Sequence, residues 1–498
     1  MPGKVLVANR GEIAVRVLRT CRELGLETVA VFSEADREAL HVRYADEAYC
    51  IGAPPAQESY LCGERIIEIA KQSEAWAIHP GYGFLAESPA FARACREHGL
   101  VFVGPRPETM ELLGDKVAAR RVAGELGIPV VAGSATTLDD AGVLDTADQI
   151  GYPVMLKAAA GGGGMGIRAA HSRQELQETI ASARREAQAA FGGSEVFLER
   201  MIEDARHIEV QLLGDEHGHV IHLGERECSI QRRHQKLIEE SPSRAVGEDL
   251  RARICQAAET IGRAVGYVGA GTVEFLLDPH GDFYFIEVNP RLQVEHTVTE
   301  AVTGVDIVKE QLRIAAGREL KYSQADIVPR AWALECRILA EDPERGFAPA
   351  TGRIARLFEP GGQGIRVDSG VYQGARVTPY YDSLLAKLVA WGETRAVAIV
   401  RMRRALDEYV VVGVRTNLDL HRAILNSHRF FGGQFHTRFV EEDFWLQDME
   451  EADDTMVVAL TAALLDYERR ANGSQAQGAG ANRWKRLGRE DLMGRWGR

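Results

Sequence analysis

Apolar residues run continuously over 4–8 (KVLVA), recur every three to four positions over 12–25, and run continuously again over 28–32 (TVAVF). That order predicts strand, amphipathic helix, strand: a parallel α/β unit. A further strand at 75–78 leads into His79-Pro80-Gly81-Tyr82-Gly83-Phe84. This turn-rich segment is expected to form a rigid loop at the carboxyl end of the sheet, where open α/β sheets hold ligands. From Gly114 the pattern changes. A helix is predicted over 115–126, period-two runs over 195–200 and 206–213, and a helix over 249–265. β patterns with Gly/Pro turns over 330–340, 352–358 and 364–390, then helices near 393–409 and 414–427, predict a third, α+β part of the chain.

Two apolar, aromatic-rich runs between Gly271 and His296 flank Pro279-His280-Gly281-Asp282, the signal of a β-hairpin. Its register sets Glu274 opposite Glu287, with Cβ atoms roughly 5 Å apart. Two carboxylates that close repel by about 3 kcal/mol at an effective dielectric of ~20, and a cation between them reverses the sign. Asn289 falls on the same face and adds a neutral oxygen. An oxygen-only set suits Mg²⁺ or Mn²⁺; an acidic pair alone also fits a solvated surface hairpin. If the strand stays extended past Pro290, the same alternation carries Arg291, Gln293 and Glu295.

A glycine run, Gly161 to Gly164, sits between two strand-like segments and follows Lys157. It lacks the Lys-Ser/Thr of a Walker A loop, yet bare backbone N–H groups can cradle phosphate. Read blandly, it is a flexible connector. Lysine is scarce, nine residues against fifty arginines, and Lys116 and Lys157 fall beside candidate phosphate elements. A lysine is a compact point charge suited to phosphate oxygens. His207, Glu209 and Gln211 share one strand face. Gln231 to Lys236 reads either as a solvated basic patch or as a cationic arm that closes over anionic substrates. The first loop, Asn9-Arg10-Gly11-Glu12, has one glycine where a dinucleotide fingerprint needs three, which argues against NAD.

A chain of 498 residues has room for two to four domains. Its net charge of -13 argues against a general nucleic-acid partner, and no apolar run approaches the ~18 residues of a membrane helix. Seven dispersed cysteines without a C-x-x-C pair, and a start that goes straight into a strand, lead to the expectation of a reduced, cytoplasmic protein. After Glu441 an acidic stretch, a helical run at 455–470 and a Gly/Ala/Ser/Gln-rich piece read as a partly flexible tail.

Lysine, glycine flap, basic arm and Glu…Glu-x-Asn hairpin, in that order, resemble the ATP-grasp superfamily, and within it the chain is similar to biotin carboxylase. The matching motifs are ANRGEIAVR (8–16), AIHPGYGFLAE (77–87), GDK (114–116), GYPVMLKA (151–158), GGGGMG (161–166), ERECSIQRRHQK (225–236), GAGTVEF (269–275), IEVNPRLQVEH (286–296) and ECRI (335–338). They run from about residue 3 to 445.

The resemblance implies a three-domain fold of class α/β and α+β. Its parts are an N-terminal Rossmann-like parallel-sheet domain (1–113), a central ATP-grasp domain (114–328) with a mobile lid at about 130–205, a C-terminal α+β domain (329–446), and a tail (447–498). It further implies ATP among Lys116, Lys157, Gly163, Gly164, His207, Gln231 and His234, with Glu199, Arg200, Met201 and Ile202 as the adenine-side hinge. Glu274, Glu287 and Asn289 would hold Mg²⁺ or Mn²⁺, two ions per site. Arg291, Gln293 and the Val294 backbone would clamp bicarbonate beside Lys236, Glu295 would be the base, and Arg337 would stabilise the enolate of the biotin ureido ring. Met165 stands where a basic residue is common in the family.

The implied activity is ATP- and bicarbonate-dependent carboxylation of biotin through carboxyphosphate. Biotin is carried on a lysine that follows methionine, and none of the nine lysines does. The implied partners are therefore a separate biotin carboxyl carrier protein or domain, a carboxyltransferase subunit serving acetyl-CoA, another acyl-CoA or pyruvate, and a second copy in a homodimer, with neither nucleic acid nor membrane. The alternatives are another ATP-grasp ligase that joins an acyl phosphate to an amine, and a non-catalytic nucleotide-binding scaffold. The run from Arg291 to Glu295 speaks against the first, and the presence of Glu274 and Glu295 against the second.

Overall fold

The computed structural model describes residues 3–134, 137–158, 167–191 and 193–443. The chain starts with β1 (Lys4–Val7), α1 (Gly11–Glu23), β2 (Glu27–Ser33), β3 (Glu47–Gly52), β4 (Ala75–His79) and β5 (Val101–Phe102). The five strands form a parallel sheet in the order β3-β2-β1-β4-β5. β1 is apolar after Lys4 because both of its faces are covered, as in parallel sheets generally. Val5 and Val7 join one core with Ile13, Val17 and Leu18 of α1, while Leu6 joins another with Ile66 and Ile67. The helical spacing of α1 therefore serves one side of the sheet. At the carboxyl ends of the strands, Asn9 Nδ2 donates to the carbonyls of Pro80 (2.6 Å) and Tyr82 (2.7 Å). That pair of bonds ties the loop after β4 to the loop after β1, which gives the expected rigidity a cause.

Next come α2 (Lys116–Glu125) and α3 (Asp140–Ile150). β6 (Val154–Ala158), β7 (Ile167–Ala170), α4 (Arg173–Phe191) and β8 (Val196–Arg200) follow, with strand order β7-β6-β8. This small layer has its own core, in which Val154, Leu156 and Leu198 pack on Val143, Leu176 and Ile180. The strands on either side of the glycine run pair antiparallel. Gly163, Gly164 and Met165 lie outside the described residues, as do the segments expected after Asp443.

An eight-stranded antiparallel sheet dominates the rest. It contains β9 (Arg206–Gly214), β10 (Val220–Arg232), β11 (Gln235–Ser241), β12 (Gly269–Leu277), β13 (Phe283–Asn289), β14 (Trp332–Leu339), β15 (Ile365–Ser369) and β16 (Leu384–Gly392). The spatial order is β13-β12-β9-β10-β11-β14-β16-β15. α5 (Glu248–Ala264) covers one face of it: Ile208, Val210 and Leu212 of β9 pack with Ile254, Ala258 and Ile261. Alternation then turns His207, Glu209 and Gln211 to the opposite face. α6 (His296–Thr303) follows β13, and α7 (Arg395–Glu408) with α8 (Leu418–Asn426) packs on the β14–β16 end. β14, β15 and β16 continue the sheet begun by β9 to β13, so one layer carries residues far apart in sequence.

One expectation needs correction. β13 ends at Asn289, and Pro290 to Glu295 leave the sheet and turn into α6. Proline has no N–H for the ladder, so the strand stops where the proline stands. The basic segment is the tight end of the β10–β11 hairpin, with Arg233 (φ 47°) and His234 (φ 64°) forming the turn and Gln231 paired with Lys236.

Candidate active site

Four neighbouring strands put one charged residue each into a row. Glu287 on β13 faces Glu274 on β12, Glu274 faces Glu209 on β9, and Glu209 faces Arg226 on β10. Three carboxylates in succession would be unstable on a dry sheet without cations. Lys236 on β11 supplies one: its Nζ donates to Glu209 Oε2 (2.6 Å), Glu274 Oε1 (2.9 Å) and Glu295 Oε1 (2.6 Å). Arg226, fully buried, bonds Glu209 Oε1 through Nε at 2.5 Å. On β14, Arg337 reaches Glu295 Oε2 (2.8 Å) with Nη2 and Glu239 Oε1 (2.6 Å) with Nε. Glu295 is thus held on both oxygens by two cations from two strands.

These contacts set the charge states. Burial would lower the Lys236 pKa, but Glu209, Glu274 and Glu295 outweigh it and push the ammonium well above its ordinary value. Burial likewise opposes ionisation of Glu295, and Lys236, Arg337 and Arg226 reverse that, holding the carboxyl well below the usual range. For Glu274 burial is again outweighed, by Lys236 and His207, and the carboxyl stays ionised far below ordinary pH.

The other expected residues lie around this centre. Lys116, at the start of α2, pairs with Glu287 at 2.9 Å. Lys157 on β6 and Arg120 on α2 converge on Glu199, which stands just ahead of Arg200 at the end of β8. The Met201 N–H donates to the Pro153 carbonyl at 2.9 Å and crosses from β8 to the start of β6; Ile202 follows in the loop. His207 Nε2 is 3.2 Å from Glu274 Oε2. Burial pulls the His234 imidazole below its ordinary pKa.

Past Pro290, Arg291 pairs with Glu87 (3.1 Å) and donates to Asn289 Oδ1 (3.3 Å). The Val294 carbonyl accepts from Lys387 Nζ at 2.8 Å. Gln293 is buried, and its amide nitrogen has no partner. Glu295 occupies the N-cap position of α6 without a side-chain capping bond; it reaches the centre through this turn and not by strand alternation.

The expected metal set is divided in its contacts: Glu274 serves Lys236 and His207, Glu287 serves Lys116, and Asn289 serves Arg291. All three still offer oxygen, and the two carboxylates remain opposite each other, which suits a hard divalent ion. Among the described residues a second grouping, His207, Glu209 and Glu274, brings three ligand atoms within 4.8 Å of one another. Arg226, Arg120, Glu239 and Glu335 were not legible as site residues. Arg226 and Glu335 lie inside motifs quoted above, but only strand order shows what they face.

Comparison with known proteins matches three family profiles. These are the biotin carboxylase N-terminal domain (residues 1–110), the carbamoyl-phosphate synthase L chain ATP-binding domain (115–323) and the biotin carboxylase C-terminal domain (335–442). The chain is similar to a pyruvate carboxylase subunit of Methanothermobacter thermautotrophicus, 49% identical over 96% of this chain and 98% of that one. It is also similar to the biotin carboxylase of a Nostoc species, 52% identical over 88% and 98%. Among solved structures, the biotin carboxylase domain dimer of the Hydrogenobacter thermophilus 2-oxoglutarate carboxylase, in complex with MgADP, ADP and bicarbonate, is 50% identical with a TM-score of 0.88 over 90% of this chain and 99% of that one. No helix among the described residues is long and apolar enough to cross a membrane.

Proposed function

This chain belongs to the biotin carboxylase family of ATP-dependent ligases, and we propose that the Lys236–Glu295–Arg337 centre is where bicarbonate is activated and biotin carboxylated. ATP binds beneath the β6–β8 layer with Lys116 and Lys157 exchanging their carboxylate partners for its phosphates. Glu274, Glu287 and Asn289 are the residues that would hold Mg²⁺ or Mn²⁺, which when bound neutralises charge developing on the phosphoryl oxygens. The Gln293 amide nitrogen, buried and without a partner, is a ready donor to a bicarbonate oxygen beside Arg291.

A bicarbonate oxygen then attacks the γ-phosphorus, the bond to the β-phosphate oxygen breaks, and ADP leaves carboxyphosphate behind. Glu295 takes the bicarbonate proton. A carboxylate so strongly held by cations is a weak base. Lys236 and Arg337 must therefore turn from Glu295 toward substrate oxygens, and as they do, the proton affinity of Glu295 rises. The same rearrangement frees Arg337 to stabilise negative charge on the ureido oxygen of biotin while the carboxyl passes to its nitrogen, and the departing phosphate takes the N–H proton. Carboxyphosphate hydrolyses in water, so the β6–β8 layer serves as a lid.

The observation that carries this reading is Glu295 bonded on one oxygen by Lys236 (2.6 Å) and on the other by Arg337 (2.8 Å). ADP release in Mg²⁺ and bicarbonate, with and without free biotin, tests it. Stimulation by biotin is expected. Stimulation by ammonia or an amine instead would replace this reading with an acyl-phosphate ligase of another substrate class.

The working unit is a homodimer acting on biotin borne by a separate carrier, and the final acceptor is a 2-oxo acid such as pyruvate. The alignment to the pyruvate carboxylase subunit reaches 96% of this chain, well into 447–498, where that to the Nostoc enzyme covers 88%. Assay with carrier and carboxyltransferase, pyruvate against acetyl-CoA, decides it; product from acetyl-CoA alone would refute the 2-oxo acid.

A further inference from the structure

Behind the base and its arginine stands a pair of carboxyls that the steps above leave unused. Glu239 on β11 and Glu335 on β14 are direct partners in the antiparallel register, and both are fully buried. Side chains so paired have Cβ atoms about 5 Å apart. Glu239 Oε1 accepts from Arg337 Nε at 2.6 Å, and Glu335 Oε2 accepts from the Thr297 hydroxyl. The remaining oxygen of each, Glu239 Oε2 and Glu335 Oε1, has no hydrogen-bond partner. Two facing anions without water repel and leave both lone oxygens unsatisfied. One proton held between them removes the repulsion and satisfies both atoms.

We propose that Glu239 and Glu335 share a single proton and serve as a positioning pair for Arg337. This rests on the reading of Arg337 and Glu295 given above. With the proton on Glu335, Glu239 is the anionic anchor of the guanidinium. Once Glu295 accepts the bicarbonate proton, its grip on Arg337 weakens and Glu239 alone keeps the guanidinium in place. Loss of the shared proton would add a charge on the inner side of Arg337 and draw it back from biotin.

The groups facing the pair come from every neighbouring element. They are Lys236 on the same strand as Glu239, Arg337 on β14, Glu295 and Thr297 at the start of α6, Lys387 on β16, and Cys228 on β10, while Cys336 lies beside Glu335 on the opposite face of β14. Burial is the largest influence and drives both carboxyls above their ordinary range. Glu295 adds to it, while Arg337, Lys236 and Lys387 oppose it without cancelling it.

Infrared spectra of the full chain and of the Glu239→Gln and Glu335→Gln variants test the shared proton directly. At neutral pH the wild type is expected to show a protonated-carboxyl stretch that both variants lose, because removing one acid lets the other ionise beside its cation. A wild type without such a band, or a band unchanged in both variants, overturns the proposal.

Kinetics test the positioning role. Glu239→Gln is expected to lower biotin carboxylation about tenfold, the scale typical of lost orienting partners, with the KM for ATP and the biotin-independent ATP hydrolysis little changed. Glu335→Gln supplies a permanent amide donor in place of the proton. It should keep neutral-pH turnover and abolish the fall in biotin carboxylation as the wild type is made alkaline. Equal losses with and without biotin in Glu239→Gln, or identical pH profiles for wild type and Glu335→Gln, would reduce the pair to a packing role and end the proposal. Absence of any biotin stimulation in the wild type would instead strike the reading of the site as a whole.

Discussion

Two of the buried charge clusters among the described residues are built differently. In one, Glu300 of α6 binds Arg16 of α1 (2.9 Å) with one oxygen and Arg366 of β15 (2.7 Å) with the other, and Arg366 in turn holds both oxygens of Asp368. Arg16 also reaches Asp306 at 2.8 Å. The carboxylates of Glu300 and Asp368 are saturated by protein donors. In the other, around Lys236, charges are just as dense, yet Gln293, Glu239 and Glu335 each keep a buried polar atom with no partner. A saturated network fixes a shape, because any rearrangement strands a charge. An unsaturated one has capacity for substrate atoms and protons. Density of charge does not distinguish the two clusters; free carboxyl and amide atoms do, whereas the partnerless Arg16 Nε of the clasp belongs to a guanidinium already bound through its other nitrogens.

The contrast can be broken most directly at Glu295. Glu295→Gln should cut biotin carboxylation by about 10²–10⁴-fold, the usual range for a lost general base, with the KM for ATP almost unchanged; steady-state kinetics read both. The reverse is expected at the clasp. Glu300→Ala strands Arg16 and Arg366 and should cost about 3–5 kcal/mol of stability in denaturant titration, with normal activity per folded molecule. An active-site phenotype from Glu300→Ala without loss of stability would erase the distinction.

Acid gives a third test. Burial opposes ionisation of Glu300, but Arg16 and Arg366 bring its pKa down to about 2 from an ordinary value of 4.5. A lowered carboxyl stabilises above its unfolded pKa and stops doing so as pH falls through the folded one. The clasp should therefore lose about 3 kcal/mol between roughly pH 4.5 and 2. Glu12 runs the other way: burial raises it to about 7 against the pull of Lys387. Its contribution is present below the unfolded pKa and is lost as pH rises through about 7. Melting curves of Glu12→Gln against wild type should converge at acid pH and separate toward neutral, in favour of the variant.

On the proposed metal role, Glu274→Gln should raise the KM for Mg-ATP at least about tenfold, the lower end of the 10–100-fold typical even of residues that only support metal ligands. A kcat effect equal to that of Glu295→Gln would merge two roles kept separate here. The smallest effect is expected at the exposed Arg404–Glu408 pair on α7, where Arg404→Ala should cost at most about 0.5 kcal/mol.

Much of this was legible in the sequence, and for a local reason. The register of Glu274 against Glu287 follows from a short loop and period-two alternation, and the structure has that pairing. The α/β start follows from two apolar runs around a helical period. Alternation misled past Asn289, because it says nothing about where a ladder ends and Pro290 ends this one. At Gln231 to Lys236, six polar or basic residues in a row do not show that one of them faces inward. One lysine does so, from a sheet whose neighbouring carboxylates come from other segments.

Periodicity within a segment depends only on backbone geometry, so the sequence by itself determined which side chains share a face and which chemistry each could offer. It also supplied the motifs by which the family is recognised. Contact between Lys236, Glu295 and Arg337 depends on which strands are neighbours. β11 sits between β10 and β14, and α6 starts beneath them, only because the whole sheet closes in the order β13-β12-β9-β10-β11-β14-β16-β15. Strand order is chosen by the joint burial of all the apolar faces at once. That is a property no single segment carries, and it alone brought Glu239 and Glu335 face to face behind Glu295.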